Sequence, residues 1–221
     1  MDITQKFQRI KTLLKDFISP PACSYCHVPL QLRAVYCASC EARLEPVVSL
    51  VLPVTKTKSV TVFAACAYKN PAKQLVLAKM WSDVIATSHM ARLIWERTPL
   101  ARIACDVLIP VPLHWTRRVK RGFNQSEEIA LALSKISKTP VALLLKRVQR
   151  TKFQSALSAD KRHENVASAF ALTKNAHLYQ GKHLVIVDDL FTTGATALAM
   201  AKLLYTVKPA SISIVVACRV V

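Results

Sequence analysis

Residues 185–196 read VIVDDLFTTGAT and carry the clearest signal for the architecture of this chain. Its three apolar residues, preceded by Leu184, predict a buried strand that ends in two adjacent carboxylates, Asp188 and Asp189. A threonine-rich turn with Gly194 then leads into a helical run. Ligands of parallel α/β sheets bind beyond the carboxyl ends of the strands, where helix starts attract anions and carboxylates accept hydrogen bonds from hydroxyls. The stretch therefore predicts a ligand that carries both a phosphate and sugar hydroxyls.

An acidic N-cap on an ordinary helix is the simpler interpretation of the same residues. It leaves Asp189 and the run Thr-Thr-Gly-Ala-Thr without a role. The turn is also not a Walker A loop, because the Lys-Ser/Thr ending and the glycine spacing are absent.

Strand and helix patterns alternate on both sides of this stretch, from Val60 to the end of the chain. The predicted strands cover residues 60–68, 105–113, 140–148, 182–189 and 210–221. The predicted helices cover residues 71–81, 83–98, 124–137 with Asn124 as N-cap, 158–170 with Ser158 as cap, and 195–207. Strands that are apolar throughout and alternate with helices indicate an α/β fold, a parallel sheet flanked by helices on both faces.

The seven cysteines fall into two groups. Cys23, Cys26, Cys37 and Cys40 form two C-x-x-C pairs with a ten-residue spacer. Four thiolates suit a tetrahedral structural zinc ion, and disulfides or free thiols are the alternative. Cys66, Cys105 and Cys218 lie in apolar runs and are interpreted as small buried hydrophobic residues.

The chain is strongly basic, with 31 lysine and arginine residues against 13 acidic ones and a net charge of +18. Nucleic acid, phosphorylated ligands or an anionic membrane surface are the partners that this charge favours. No apolar run reaches the ~18 residues of a membrane helix, and charges interrupt the N-terminus where a signal peptide would need an apolar core. We therefore expect a cytoplasmic protein.

Residues 3–17 place Ile3, Phe7, Ile10, Leu14 and Phe17 on one helical face, with basic residues between them. Such a helix packs on its own protein, lies on a membrane surface or docks a partner. The expected organisation is an amphipathic N-terminal helix over residues 1–20, a four-cysteine zinc module with a linker over 21–50, and an α/β domain over 51–221. The run EPVVSLVLPVTKTKS, residues 45–59, is interpreted as a linker that contains a short apolar run.

The run VIVDDLFTTGATA resembles the 13-residue phosphoribosyl-pyrophosphate (PRPP) signature of type I phosphoribosyltransferases. That resemblance implies that Asp188 and Asp189 hold the ribose hydroxyls and that magnesium accompanies the pyrophosphate. The residues that it implies for the 5-phosphate are Thr192, Thr193, Gly194, Ala195 and Thr196.

Two basic segments before the signature, LIPVPLHWTRRVKRGFNQSEEIA and KRVQRTKFQSALSADKRHENVASAF, together with the cysteines, resemble the ComF/GntX family. Residues 110–113, residues 121–125, Thr151 with Gln154, and Arg162 with Asn165 match that family in order. The resemblance implies pyrophosphate and mobile-loop roles for Arg117, Arg118, Arg121, Asn124, Gln125, Arg150, Thr151, Gln154 and Arg162.

Residues 113–164 hold 12 lysine and arginine residues against four acidic ones. Aromatic residues within a basic groove are typical of sequence-independent single-strand binding. The candidate residues for single-stranded DNA are Trp115, Arg117, Arg118, Lys120, Arg121 and Phe123.

Competence members of the family act in natural transformation, so the resemblance implies a DNA-uptake factor that binds PRPP and single-stranded DNA, in the cytoplasm or at the inner membrane. A metabolic phosphoribosyltransferase is one alternative. The other is a non-catalytic adaptor that docks an uptake ATPase or helicase, or other competence proteins. The sequence assigns no nucleophile and no general acid or base, so transferase activity does not follow from it.

Overall fold

The computed structural model of the protein describes residues 20–77, 84–113, 122–148 and 169–221. The helices are α1 (Ala38–Ala42), α2 (Ala72–Leu77), α3 (Val84–Arg97), α4 (Gln125–Ser137) and α5 (Ala195–Tyr205). The strands are β1 (Leu50–Pro53), β2 (Ser59–Ala67), β3 (Val107–Pro110), β4 (Leu145–Arg147), β5 (Phe170–Leu172), β6 (His183–Phe191) and β7 (Ser211–Arg219). Short 3-10 turns cover Pro99–Ala101 and Lys174–Tyr179.

Five strands form the main sheet in the order β1-β2-β7-β6-β3, and β4 pairs with β5 in a separate two-stranded sheet. Strands β2, β7, β6 and β3 run parallel to one another. The predicted α/β class with a parallel sheet is therefore confirmed. The edge strand β1 runs antiparallel to β2 and lies in the stretch that we interpreted as a linker, so that part of the interpretation is wrong.

Alternate residues of the strands face two separate cores, one on each side of the sheet. Val185 and Val187 of β6 belong to the core that α3 and α4 cover, whereas Leu184 and Ile186 belong to the core that α5 covers. Because a parallel strand buries both of its faces, its sequence is apolar throughout, as the run before Asp188 shows. Among the described residues, no helix has the length and apolar character that crossing a membrane requires.

The chain from residue 140 to 148 differs from its predicted single strand. Val141 bridges Leu108 of β3, but the chain then leaves the main sheet, and β4 covers only Leu145–Arg147. The reason is that Leu144 and Leu145 are buried in the α5-side core while Leu143 is exposed, which a continuous central strand does not allow. Phe170, the predicted end of a helix, instead opens β5, and residues 149–168 lie outside the described residues.

Two of the three remaining cysteines are fully buried, as predicted. Cys66 and Cys218 lie side by side on β2 and β7 with 3.7 Å between their sulfurs, and each is 0% exposed. Cys105 is only half-buried. All three therefore act in the described structure chiefly as small apolar side chains.

Candidate functional site

The acidic pair lies near the carboxyl end of β6, in the middle of the main sheet. The strand continues two residues beyond the predicted end, because Leu190 and Phe191 still pair with Cys218 and Arg219 of β7. Asp189 is 8% exposed, and Asp188 is half-buried at the wall of a pocket. The sheet thus carries the two carboxylates to the edge where ligands of parallel sheets bind.

The turn after the pair is shaped by Gly194. Thr192 and Thr193 are exposed, and Gly194 has φ 78°, in the left-handed region. A Cβ at this position would lie 2.8 Å from the ring of Phe191 and 3.6 Å from Leu52 of β1. Glycine is therefore required here both by conformation and by space.

Helix α5 begins at Ala195, and its N-cap position is Gly194, which has no side chain to cap it. The acidic N-cap interpretation is therefore excluded, because neither carboxylate occupies the cap. The first N–H groups of α5 follow directly on the threonine turn, which is the arrangement that attracts a phosphate.

A pocket brings the acidic pair together with residues from three other parts of the chain. Its lining consists of Val111, Pro112, Leu113, Phe123, Asn124, Gln125, Ser126, Arg147, Asp188 and Asp189. The predicted residues Phe123, Asn124 and Gln125 thus lie beside the predicted carboxylates. The threonine turn of residues 192–196 is not in that lining.

Several predicted residues lie outside the described residues. They are Trp115, Arg117, Arg118, Lys120, Arg121, Arg150, Thr151, Gln154 and Arg162. The amphipathic segment of residues 3–17 also lies outside them. The proposed roles of these residues remain predictions.

Sequence reasoning missed two residues of this pocket, Ser126 and Arg147. Ser126, in the first turn of α4, donates a hydrogen bond of 2.7 Å to Oδ1 of Asp188. The backbone N–H of Asp189 donates to the same oxygen at 2.9 Å. The guanidinium of Arg147, on β4, lies 5.3 Å from the ring centroid of Phe170. A hydroxyl two residues after the predicted start of a helix was the only signal for Ser126.

Asn124 occupies the N-cap position of α4, as predicted, but its side chain does not cap the helix. Its Nδ2 instead donates to the carbonyl of Val111 at 3.0 Å, which ties the helix start to the chain after β3. The predicted capping bond is therefore wrong. The side chain of Asn124 pairs with the carbonyl of Val111, because a carbonyl inside the protein that lacks a hydrogen-bond donor destabilises the folded state.

The electrostatics of the pocket are dominated by two neighbouring carboxyl groups. Burial and the adjacent Asp189 raise the pKa of Asp188 to about 8, although the bond from Ser126 opposes that shift. Burial and mutual repulsion therefore favour a proton shared by the carboxyl pair in the free protein. Arg147 lines the same pocket and supplies positive charge there.

The four predicted zinc ligands lie together. The sulfurs of Cys23, Cys26, Cys37 and Cys40 are all within 4.8 Å of one another. Sulfurs around a tetrahedral zinc ion are ~3.8 Å apart, given Zn–S bonds of about 2.3 Å. The donor set and its dimensions therefore fit such an ion. His27, in the place where a glycine often follows the second cysteine, has φ 60° and closes its turn with a bond to the carbonyl of Cys23.

The thiols of Cys23 and Cys40 differ in how readily they ionise. Burial opposes ionisation of Cys23, but backbone N–H groups around its sulfur lower its pKa to about 6. Burial and the neighbouring sulfurs raise the pKa of Cys40 to about 12. The cluster therefore binds protons or a cation, because four bare thiolates would repel one another.

Residues 20–45, the cysteine segment, pack directly on helix α3. Tyr36 donates to the carbonyl of Pro71 at 2.9 Å and meets His89 edge-on at 5.4 Å. Arg92 of α3 donates to Glu41 at 2.6 Å, and Arg97 donates to the carbonyl of Leu44 at 3.0 Å. The segment therefore shares the core on the α3 side of the sheet.

Comparison with known proteins agrees with this geometry. Residues 98–220, more than half of the chain, match the family model of the phosphoribosyl transferase domain, so the fold and the acidic site define a protein of that class. The chain is 30% identical over 206 residues to the DNA utilization protein YhgH of Salmonella typhimurium, covering 89% of this chain and 83% of that protein. It is 29% identical over 198 residues to Competence protein F of Haemophilus influenzae, covering 86% and 81%. The protein belongs to the competence protein F family.

Among solved structures, a crystal structure of adenine phosphoribosyltransferase aligns with 78% of this chain and 85% of its own chain. Its TM-score is 0.37 and its sequence identity is 13%.

Proposed function

We propose that this protein binds a ribose phosphate, PRPP or a close relative, at the pocket of Asp188 and Asp189, and binds single-stranded DNA through its basic segments. The observation that carries the proposal is the acidic pair itself, held at the carboxyl edge of the sheet beside the starts of two helices. Carboxylates there accept from sugar hydroxyls, while helix N–H groups donate to phosphate. The ligand that satisfies both is a phosphorylated sugar.

The two helix starts differ in how they support such a ligand. Helix α5 begins at a glycine, so its first N–H groups face the turn of Thr192 and Thr193, which suits the 5-phosphate. Helix α4 begins at the pocket, with the side chain of Asn124 turned away to Val111. Its first turn therefore suits the pyrophosphate. Magnesium, when it accompanies PRPP, neutralises charge on that pyrophosphate near the carboxylates of Asp188 and Asp189.

Binding of single-stranded DNA is supported by charge and by the relatives. Residues 113–164 contribute +8 of the net +18, and phosphate neutralisation supplies affinity without sequence readout. The relatives carry names that refer to competence and DNA utilization. In this chain we assign the contact to the six residues predicted above, of which Phe123 lies in the described pocket.

A structural zinc ion in the cysteine cluster is the third part of the proposal. The four sulfurs have the spacing that a tetrahedral ion needs. The ion would hold the two knuckles together and so preserve the surface that packs on α3. It takes no part in chemistry at the acidic pocket.

Paired titrations test the proposal. The full-length protein is titrated with PRPP plus magnesium by calorimetry and with a labelled oligothymidylate by fluorescence anisotropy at several salt concentrations. We expect saturable PRPP binding that Asp188→Asn with Asp189→Asn abolishes, and DNA affinity that falls steeply with salt. Absence of PRPP binding at millimolar concentration would contradict the proposed sugar-phosphate site. Absence of DNA binding at low salt would contradict the proposed DNA binding.

The same titrations separate the alternatives. Turnover of PRPP with a nucleobase or amine, in a protein that does not bind DNA, indicates a metabolic phosphoribosyltransferase. Absence of both ligands in a folded, zinc-loaded protein indicates an adaptor.

A further inference from the structure

The hydrogen bond from Ser126 to Asp188 joins two elements that are far apart in sequence. The hydroxyl lies in the first turn of α4, 62 residues before its acceptor on β6, and the bond is 2.7 Å long. Ser126 is 6% exposed, so its hydroxyl is nearly withdrawn from water. A serine near a helix start ordinarily bonds to the helix backbone. Here it is directed at the carboxyl group of the pocket instead.

Both protein donors converge on one oxygen of Asp188. The hydroxyl of Ser126 and the N–H of Asp189 donate to Oδ1, from the helix side and from the strand itself. Two donors on one oxygen fix the plane of the carboxyl group, and with it the direction in which the second oxygen faces. A carboxyl group held in this way has a defined direction in which it accepts.

We propose that Ser126 is a positioning residue that orients Asp188 to accept from a free sugar hydroxyl, so that the pocket selects ribose phosphates over 2-deoxyribose phosphates and over DNA. The inference rests on the proposed binding of a ribose phosphate at this pocket. Its substrate class is a sugar phosphate with two free neighbouring hydroxyls. Asp189 shares the task as the second acceptor.

Nucleotides inside a DNA strand cannot satisfy such a site. They have no 2-hydroxyl, and their 3-oxygen is esterified, so neither position donates a hydrogen bond. Their phosphates are also repelled by the acidic pair. A site of oriented acceptors rejects a ligand that lacks the matching donor, because its buried polar groups then stay unpaired. The sugars of a DNA strand therefore do not occupy the acceptor site of Asp188 and Asp189, even where the strand contacts Phe123 at the pocket wall.

The experiment compares Ser126→Ala with Ser126→Thr, which keeps the hydroxyl, and with Ser134→Ala on the same helix as a control. Ribose 5-phosphate and 2-deoxyribose 5-phosphate are the probes, and calorimetry gives both affinities. We expect the wild-type protein to favour the ribose form. We expect Ser126→Ala to weaken binding of the ribose form on the order of tenfold, with a smaller change for the deoxy form, and Ser126→Thr to restore the preference.

A second readout needs no ligand. The carboxyl group of Asp188 is titrated by carbon-13 NMR in the free protein, where Asp189 from β6 and Arg147 from β4 are the charged groups that share its pocket. Loss of a donor to the charged form raises the pKa of Asp188 in Ser126→Ala, and Ser126→Thr returns it.

The two readouts fail in different ways. An unchanged titration of Asp188 in Ser126→Ala overturns the positioning role, whatever the ligands do. Equal weakening of both sugar phosphates overturns the selection for the ribose form. A wild-type protein that binds neither sugar phosphate overturns the proposed function, and with it the selection, while the NMR titration still reports on the bond between Ser126 and Asp188.

Discussion

The cysteine cluster and the acidic pocket both bring acidic groups close together, but they do so by opposite means. Four thiols converge within 4.8 Å on the α3 side of the sheet, and a metal ion is the group that would make them a unit. Two carboxyl groups stand side by side near the end of β6, and their repulsion together with burial raises the pKa of Asp188. The first arrangement would gain stability from a bound cation. The second keeps two carboxyl groups together at a raised pKa of Asp188.

The cysteine segment thus has a role in stabilising the fold, whereas the acidic pocket has a proposed role in binding a ligand. The cysteine segment is tied to α3 by Tyr36, Arg92 and Arg97, so its loss also affects the main core. At the acidic pair, Ser126 and the N–H of Asp189 donate to Asp188, but the two adjacent carboxyl groups repel each other. Changes at the two sites should therefore alter stability with opposite signs.

The largest effect is expected at the cysteine cluster. Removing the metal with a chelator, or replacing Cys40 by serine, should lower the free energy of unfolding by about 5 kcal/mol or more, because structural zinc contributes folding energy directly. Thermal unfolding with metal analysis measures it. Cys105→Ser, at a half-buried cysteine outside the cluster, is the control. A chelated protein with unchanged melting temperature contradicts the structural role.

Asp188→Asn should change stability in the opposite direction, by raising the free energy of unfolding. Because the pKa of Asp188 is raised to about 8 in the folded protein, the unfolded chain ionises first, and stability contributed by this group falls as pH rises from about 4 to 8. The neutral amide escapes that penalty. We expect the variant to gain about 3 kcal/mol over the wild type at pH 8, and to lose sugar-phosphate binding.

Thermal melts of both proteins between pH 4 and 9 measure this gain. The difference between them should grow steadily up to pH 8. A constant difference across that range would show that the Asp188 proton does not control it.

Gly194→Ala is expected to cost about 2 kcal/mol and to abolish phosphate binding, because the residue sits at φ 78° with Phe191 in the way of any side chain. Gly181→Ala is a matched control, with φ 70° but open space around it. Denaturant melts of the two variants isolate the steric part. Equal losses would mean that backbone conformation alone accounts for the requirement.

The smallest effect concerns His89, at the contact between the cysteine segment and helix α3. Burial lowers the pKa of His89 to about 4, with the positive charges of Arg92 and Arg97 adding to the shift and Glu41 opposing it. Stability contributed by this group is present above pH 6.5 and is lost as pH falls towards 4, because the unfolded chain takes up the proton first. We expect His89→Gln to reduce the loss at pH 5 by about 1–2 kcal/mol. Parallel slopes of stability against pH for variant and wild type would contradict this.

Local features of the sequence were predicted well, and long-range ones were not. The acidic pair, the glycine turn and the cysteine spacing are each encoded within a few residues, so their chemistry is visible in the chain itself. Ser126 and Arg147 lie in the pocket because of where α4 and β4 pack. The residues around them in sequence do not indicate that Asp188 is a neighbour. Only the folded sheet brings them to Asp188.

The predicted linker shows a second limit. Residues 50–53 were not recognised as a strand because the run is short and ends in a proline, which is typical of an edge position. The expected hydrogen bond from the helix backbone to the side chain of Asn124 is absent for a related reason. A nearby buried carbonyl, that of Val111, competes for the amide, and that competitor lies 13 residues away.

Leu52 of β1 lies 3.6 Å from where a Cβ on Gly194 would stand, and this neighbour bears on how the protein could be shortened. A fragment that starts at residue 98, where the match to the phosphoribosyl transferase domain begins, would omit β1 and β2. Strand β7 would then become a bare apolar edge, and the turn of residues 192–196 would lose the leucine behind it. Such a truncation is expected to aggregate rather than to yield a minimal binding domain. The smallest autonomous unit therefore begins before Leu50.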